Sequence, residues 1–326
     1  MSELRWNPVL REWVVTATHR MERPQMPKDW CPFCRDSGRV PADYDVYIYP
    51  NDFPSFSIPP PQPDIEGTEL FRVEKAVGVC DVVLYTPEHK SSLTQLPTSH
   101  IVKLIALWKS RYRELGSKPE IKYVLEFENK GEVIGVTMPH PHGQIYGFPF
   151  IPPKLQTELD SAAEYQKQKG RCLFCDIIEE EKADGRRIIG QNSSFVAILP
   201  FYARFPYEIH IFSQDHLLSF SDFDERHIQD LASILKFVLL KYDNLYGFSF
   251  PYMMVIHQSP TDGQDYSYYH FHIEFYPPYR SRTKLKYLAS CESGAGTFIN
   301  DSCPEEKAKE LRNTEPLKIE EVECQS

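Results

Sequence analysis

The residues that can do chemistry fall into two cysteine pairs and two histidine segments. The pairs are Cys31-Pro32-Phe33-Cys34 and Cys172-Leu173-Phe174-Cys175; the segments are His140-Pro141-His142-Gly143-Gln144 and His270-Phe271-His272-Ile273-Glu274. Thiolates two residues apart can turn toward one tetrahedral zinc. A redox reading of Cys-x-x-Cys needs a strand before the pair and a helix after it. The approach to Cys31, Arg23-Pro24-Gln25-Met26-Pro27-Lys28-Asp29-Trp30, is instead a proline-broken loop. Metal ligation is therefore the reading adopted. Two well-spaced histidines follow each pair, which predicts two Cys₂His₂ zinc sites: Cys31, Cys34, His89 and His140 in the first half, and Cys172, Cys175, His216 and His270 in the second. Every position is then filled by protein, the structural type of zinc site. Such long gaps staple distant strands together rather than fold a DNA-binding finger. Cys80, Cys291, Cys303 and Cys324 are scattered.

His140, His142 and Gln144 alternate, so in an extended chain they share a face. Pro141 lacks an N–H and Gly143 permits close backbone approach, which suits a phosphate lying against the chain. A neutral imidazole can attack phosphorus and split one displacement into two through a phospho-histidine. Gln144 can donate an amide hydrogen to the phosphoryl oxygen as charge builds. The second half carries Glu274 at the matching position. A carboxylate there repels phosphate, so the second copy reads as structural.

The elements around these residues repeat. Cys34 is followed by a strand-like run at Asp81–Tyr85, a helix over His100–Leu115 with apolar residues at helical spacing, and strands at Ile121–Phe127 and Val133–Val136. Cys175 is followed by strands at Phe195–Leu199 and Tyr207–Phe212, a helix over Asp224–Tyr246, and a strand at Tyr252–Ile256. Two halves of one grammar predict a duplicated α+β unit, a mostly antiparallel sheet with packed helices. The expected halves are 1–165 and 166–326, joined through a polar helix carrying Glu158 and Glu164. Residues 50–63 read as a proline-rich surface loop, and the charged tail after Asn313 as frayed.

The chain has 326 residues and a net charge of −10; 41% of residues are hydrophobic and 25% charged. That composition is globular and excludes a disordered chain. The acidic balance opposes wrapping nucleic acid but leaves room for a small phosphorylated ligand. No run is long and apolar enough for a membrane span, and the amino end lacks the apolar stretch of a signal peptide, so a cytoplasmic, reducing setting is expected.

The His-Pro-His-Gly-Gln segment, preceded by Glu128-Asn129-Lys130-Gly131, resembles the galactose-1-phosphate uridylyltransferase branch of the histidine triad superfamily. The resemblance runs from about Trp6 to about Arg312. It implies two histidine-triad domains in one chain and a homodimer in which each active site draws on the neighbouring subunit. The implied reaction converts UDP-glucose and galactose 1-phosphate to UDP-galactose and glucose 1-phosphate. By the resemblance, His142 is the nucleophile and Gln144 contacts the transferred phosphoryl group. Asn51 and Asp52 hold the uridine. Asn129, Gly135, Thr137, Arg20 and Arg23 lie near the phosphates, with Thr137 where serine is usual. Lys286 and Glu292 belong to a sugar-binding loop.

Cys291 and Phe298 stand where some members carry Tyr and Gln. Some members lack the second cysteine pair and bind metal through a Glu and three His, a site that Glu158, His257, His270 and His272 offer here. The cysteine set is preferred, because two thiolates compete well for zinc. An ADP-sugar or dinucleotide phosphorylase is the rival within the superfamily; a zinc-stapled binding module without catalysis is the rival outside it. His19, His100 and His227 read as ordinary polar residues, and His210 as a lesser metal candidate.

Overall fold

The computed structural model describes residues 2–24 and 30–314. Cys324 and nearly all of the tail expected to fray lie outside the described residues, as does most of the loop before Cys31. A small antiparallel sheet is built from β1 (Ser2–Asn7), β2 (Glu12–Ala17) and β4 (Val73–Lys75). The main sheet has nine strands. The first half supplies β3 (Tyr47–Pro50), β5 (Val79–Leu84), β6 (Tyr123–Lys130) and β7 (His142–Phe148). The second supplies β8 (Ile188–Gln191), β9 (Phe195–Ile198), β10 (Ile209–Ser213), β11 (Tyr252–His257) and β12 (His272–Tyr276). Their order is β3-β5-β7-β6-β11-β12-β10-β9-β8. Every pairing is antiparallel, so the fold is α+β.

The repeat is visible in that order. The run β5-β7-β6 in one half answers β10-β12-β11 in the other, and the halves meet where β6 pairs with β11. Each half also contributes one long helix, α1 (Thr98–Gly116) and α4 (Glu225–Tyr246). In α1, Ile101, Leu104, Ile105, Trp108, Tyr112 and Leu115 fall on one stripe and are buried. Asp224 caps α4 by accepting from the His227 amide, and Gly247 ends it at φ 73°. Both helices pack on one face of the sheet, against Val83, Val124, Ile145, Ile211 and Ile273, in a single core that spans the two halves.

Between the halves run α2 (Pro153–Lys169) and α3 (Leu173–Asp184). A short pair, β13 (Tyr279–Ser281) and β14 (Lys284–Leu285), then α5 (Ser290–Ala295) and α6 (Pro304–Arg312), complete the chain. One expected strand is absent. Glu132–Ile134 forms a 3₁₀ turn, because Gly131 (φ 98°) and Gly135 (φ 85°) take backbone angles that break an extended run. No helix among the described residues is long and apolar enough to cross a membrane.

Candidate active site and metal centres

Strand β7 positions the His-Pro-His segment. Gln144 lies opposite Phe127 and Val82, and His142 opposite Leu84. Alternation then turns His142 and Gln144 to the face away from α1 and α4, while Gly143 and Ile145 face the helices. His140 precedes the strand and is 1% exposed.

Neighbouring carbonyls fix the two imidazoles oppositely. His140 Nε2 donates to the Thr86 carbonyl at 2.8 Å, which leaves Nδ1 to face Cys34 Sγ at 3.8 Å and Cys31 Sγ at 3.7 Å. His142 Nδ1 donates to the His140 carbonyl at 2.7 Å, which leaves the Nε2 lone pair free. Burial lowers the His142 pKa and nearby Arg23 lowers it further, so the ring stays neutral at pH 7. Gln144 Oε1 accepts from the Tyr146 hydroxyl at 3.1 Å, and its amide hydrogens remain for a ligand.

A cleft of about 390 Å³ opens over these groups, the size of a small-molecule site. Arg23, Thr137, His142 and Gln144 line it together with Arg39, Tyr49, Asn51, Asp52 and the rings of Trp30, Phe33 and Phe53. Arg23 donates to Thr137 at 3.0 Å. Asn51 Oδ1 accepts from the Phe53 amide at 2.9 Å. Arg20 donates to the Phe53 carbonyl at 2.8 Å and so braces the cleft wall from behind.

Other expected residues stand apart from this cleft. Asn129 lines a separate chamber that shares His142. Gly135 is exposed, and its φ of 85° serves the turn before Thr137. Lys286 and Glu292 pair with each other at 3.2 Å in the segment spanning β14 and α5, outside the residues lining the cleft. Gly143 has a different role from the one expected. A Cβ there would lie 2.2 Å from the Tyr85 hydroxyl oxygen and 3.1 Å from the Phe127 carbonyl oxygen. Its bareness serves packing under the sheet, not a phosphate above it.

Cys31, Cys34, His89 and His140 bring four donor atoms within 4.8 Å of one another, as do Cys172, Cys175, His216 and His270. Sulfur-to-nitrogen separations run from 3.3 Å (Cys34–His89) to 3.9 Å (Cys172–His270). A tetrahedral zinc with ordinary bond lengths sets this edge at about 3.6 Å, so both groups fit the ion. His216 and His270 spend Nε2 on the Ser267 and Ser213 carbonyls, the outer bonds that orient ligating histidines.

The alternative metal set forms as well, with a changed member. His270 goes to the cysteines, and Glu274 joins Glu158, His257 and His272. The reason is the strand period: His272 and Glu274 share a face of β12, and His270 lies before the strand. His257 Nδ1 donates to Glu158 at 2.8 Å. Lys154 also reaches Glu158, at 3.6 Å, and binds Glu274, while Arg204 lies 3.6 Å from Glu274. Existing cations thus counter both carboxylates, and the group fits an added metal less well than the cysteine sets do. His210 joins neither cysteine set; it is buried and bonds Glu208 at 2.9 Å. His227 is likewise buried, as the reciprocal cap of α4, rather than solvated.

Sequence reasoning missed Arg39, Tyr49 and the part of Glu274 in this cluster. The His272-x-Glu274 spacing carried the signal for the last.

Family models of the galactose-1-phosphate uridyl transferase N-terminal and C-terminal domains match residues 1–152 and 158–322. The galactose-1-phosphate uridylyltransferase of Thermotoga maritima is 40% identical over 97% of this chain and 99% of its own. That of Saccharomyces cerevisiae is 34% identical over 96% and 94%. Among solved structures, a uridylyltransferase superposes with a TM-score of 0.88 at 35% identity, covering 96% of this chain and 98% of its own. An ADP-glucose phosphorylase from Arabidopsis thaliana follows with a TM-score of 0.75 at 27% identity, covering 97% and 99%. With both domain models in sequence along one polypeptide, this chain belongs to the galactose-1-phosphate uridyl transferase family.

Proposed function

We propose that this chain transfers a uridylyl group from UDP-glucose to galactose 1-phosphate through a covalent adduct on His142. The observation that carries the reading is the free Nε2 of a neutral His142, held by the His140 carbonyl beside the Gln144 amide in a nucleotide-sized cleft. His142 Nε2 attacks the α-phosphorus. A P–N bond forms, and the P–O bond to glucose 1-phosphate breaks with its electron pair leaving on that oxygen. A phosphate oxygen of galactose 1-phosphate then attacks the same phosphorus, and the electrons of the P–N bond return to Nε2. Gln144 donates to the phosphoryl oxygen as charge grows there. Arg23 and Thr137 attend the phosphates, with Arg20, Asn129 and Gly135 supporting that end. Asn51 and Asp52 take the nucleoside, and Lys286 and Glu292, which lie outside the cleft of their own subunit, serve the sugar in the cleft of the neighbouring subunit.

Zinc in each Cys₂His₂ group supplies a structural staple. The protein works as a cytoplasmic homodimer, with one histidine-triad unit in each of 1–165 and 166–326. The higher identity to the transferases than to the ADP-glucose phosphorylase supports a sugar-phosphate acceptor over inorganic phosphate.

Incubating the protein with UDP-glucose is expected to add one uridylyl mass, and His142→Asn to abolish the addition. Turnover with UDP-glucose needs galactose 1-phosphate. An adduct retained in His142→Asn, or turnover with ADP-glucose and inorganic phosphate instead, would overturn the assignment.

A further inference from the structure

Asp52 is an odd occupant of a cleft that accepts a diphosphate. A bare carboxylate beside a doubly charged ligand in a partly dry site repels it. The side chain is 32% exposed and does not stand bare. Arg39 donates to Asp52 Oδ1 at 2.8 Å and to Oδ2 at 3.0 Å, the two parallel bonds of a guanidinium fork. The Tyr49 hydroxyl lies 3.1 Å from Oδ1 and 3.0 Å from Oδ2. The Arg39 guanidinium also sits 5.7 Å from the centre of the Tyr49 ring. Tyr49 itself is only 5% exposed, so the assembly rests on a fixed floor.

We propose that Arg39 is a positioning and specificity residue: it cancels the charge of Asp52 and locks the carboxylate as an acceptor for a ribose hydroxyl of the bound nucleotide. This rests on the uridylyl-transfer reading. A carboxylate offers about four lone-pair directions, and the fork with the phenol takes three. The remaining direction suits a donor, and the hydroxyls are the donors that a ribonucleoside diphosphate carries away from its anionic groups. Arg39 owes its place to the first cysteine pair. The chain leaves Cys34 through a 3₁₀ turn, Arg35–Ser37, and reverses at Gly38 with φ 71°. The Ser37 hydroxyl accepts from the Arg39 amide at 3.2 Å, and Val40 then anchors in the core beside Phe33 and Tyr49. The metal loop and the nucleoside contact are thus one continuous piece of chain.

The test compares UDP-glucose with its 2′-deoxy and 3′-deoxy ribose analogues, in turnover and in labelling of His142. Arg39→Met is expected to raise KM for UDP-glucose about ten- to a hundredfold, the worth of a charge-assisted bond, with kcat within about threefold. The preference for UDP-glucose over one of the deoxy analogues should vanish in this variant. Arg39→Lys keeps the charge and loses the fork, so that preference should stay lost while KM recovers in part. Asp52→Asn is the second route should Arg39→Met fold poorly; it should erase the same preference. An unchanged KM in Arg39→Met, or equal losses for all three nucleotides, overturns the proposal. So does an unaltered preference in Asp52→Asn. If the wild-type protein forms no uridylyl adduct, the functional reading fails. If it labels and Arg39→Met labels at the same concentrations, only the role of Arg39 fails.

Discussion

At His142 the deciding detail is which ring nitrogen is spent. The His140 carbonyl takes Nδ1, so Nε2 carries the lone pair, and the lowered pKa keeps it unprotonated. The labelling rate is therefore expected to hold as pH falls through 6.5, the ordinary histidine value, and to drop only in more acidic buffer. A pH–rate profile of single-turnover labelling checks this. Gln144 supplies a donor that matters most when charge develops, so Gln144→Ala should slow labelling by about 10²–10³ while the fold is kept. Behind the catalytic strand, Glu128 is pushed up to about 7 by burial, although Lys130, Tyr252 and Tyr85 pull the other way. Its folded pKa lies above its unfolded one. Its contribution to stability is therefore full below about pH 4.5 and lost as pH rises through 7. That loss is on the order of 3 kcal/mol. Glu128→Gln should gain stability over wild type at pH 8 and little at pH 4.5, as denaturant melts at the two pH values would report.

Strand β7 works because its two faces do different jobs. Its outer face carries His142 and Gln144; its inner face must be bare at Gly143 to admit the Tyr85 hydroxyl. Gly143→Ala should cost about 1–3 kcal/mol by overpacking, read as a lower Tm, without removing any catalytic group. This division marks what the residue string disclosed. Period-two alternation made the shared face of His142 and Gln144 legible, and the apolar stripes of α1 and α4 were plain. The Val133–Val136 run misled, because its β-branched residues look extended while Gly131 before it and Gly135 within it set a turn. The purpose of Gly143 was hidden, since its close neighbour, Tyr85, comes from another strand's end. The preferred cysteine set keeps His270, but the alternative around Glu158 names His270 where Glu274 belongs, for the same reason: where β12 begins depends on its partners, and a single strand's pattern does not say. Arg39 gave no sign at all, because an arginine five positions past a cysteine looks like surface until the chain folds back on Asp52.

Across the whole molecule, the two cysteine sets share geometry but stand in different relations to the cleft. His140 belongs to the first set and its carbonyl also fixes His142; in the second set the His270 carbonyl holds His272 Nδ1 at 3.0 Å in the same way, but His272 lies outside the cleft. Cys34→Ser should therefore lose one metal equivalent together with most of the labelling. Cys175→Ser should lose one equivalent and some thermal stability while labelling persists. Elemental analysis alongside mass spectrometry of the adduct separates the two. The cation-countered Glu158 group should add no tightly held third equivalent in either. The ladder between β6 and β11 has a consequence of its own. It is the seam at which one half ends and the other begins, and both strands lie in the interior of the nine. Severed there, each fragment bares a ribbon of unpaired amides and carbonyls, a template that any compatible ribbon can zip onto. The polypeptide linker thus acts as a tether that raises the local abundance of the right mate above every wrong one.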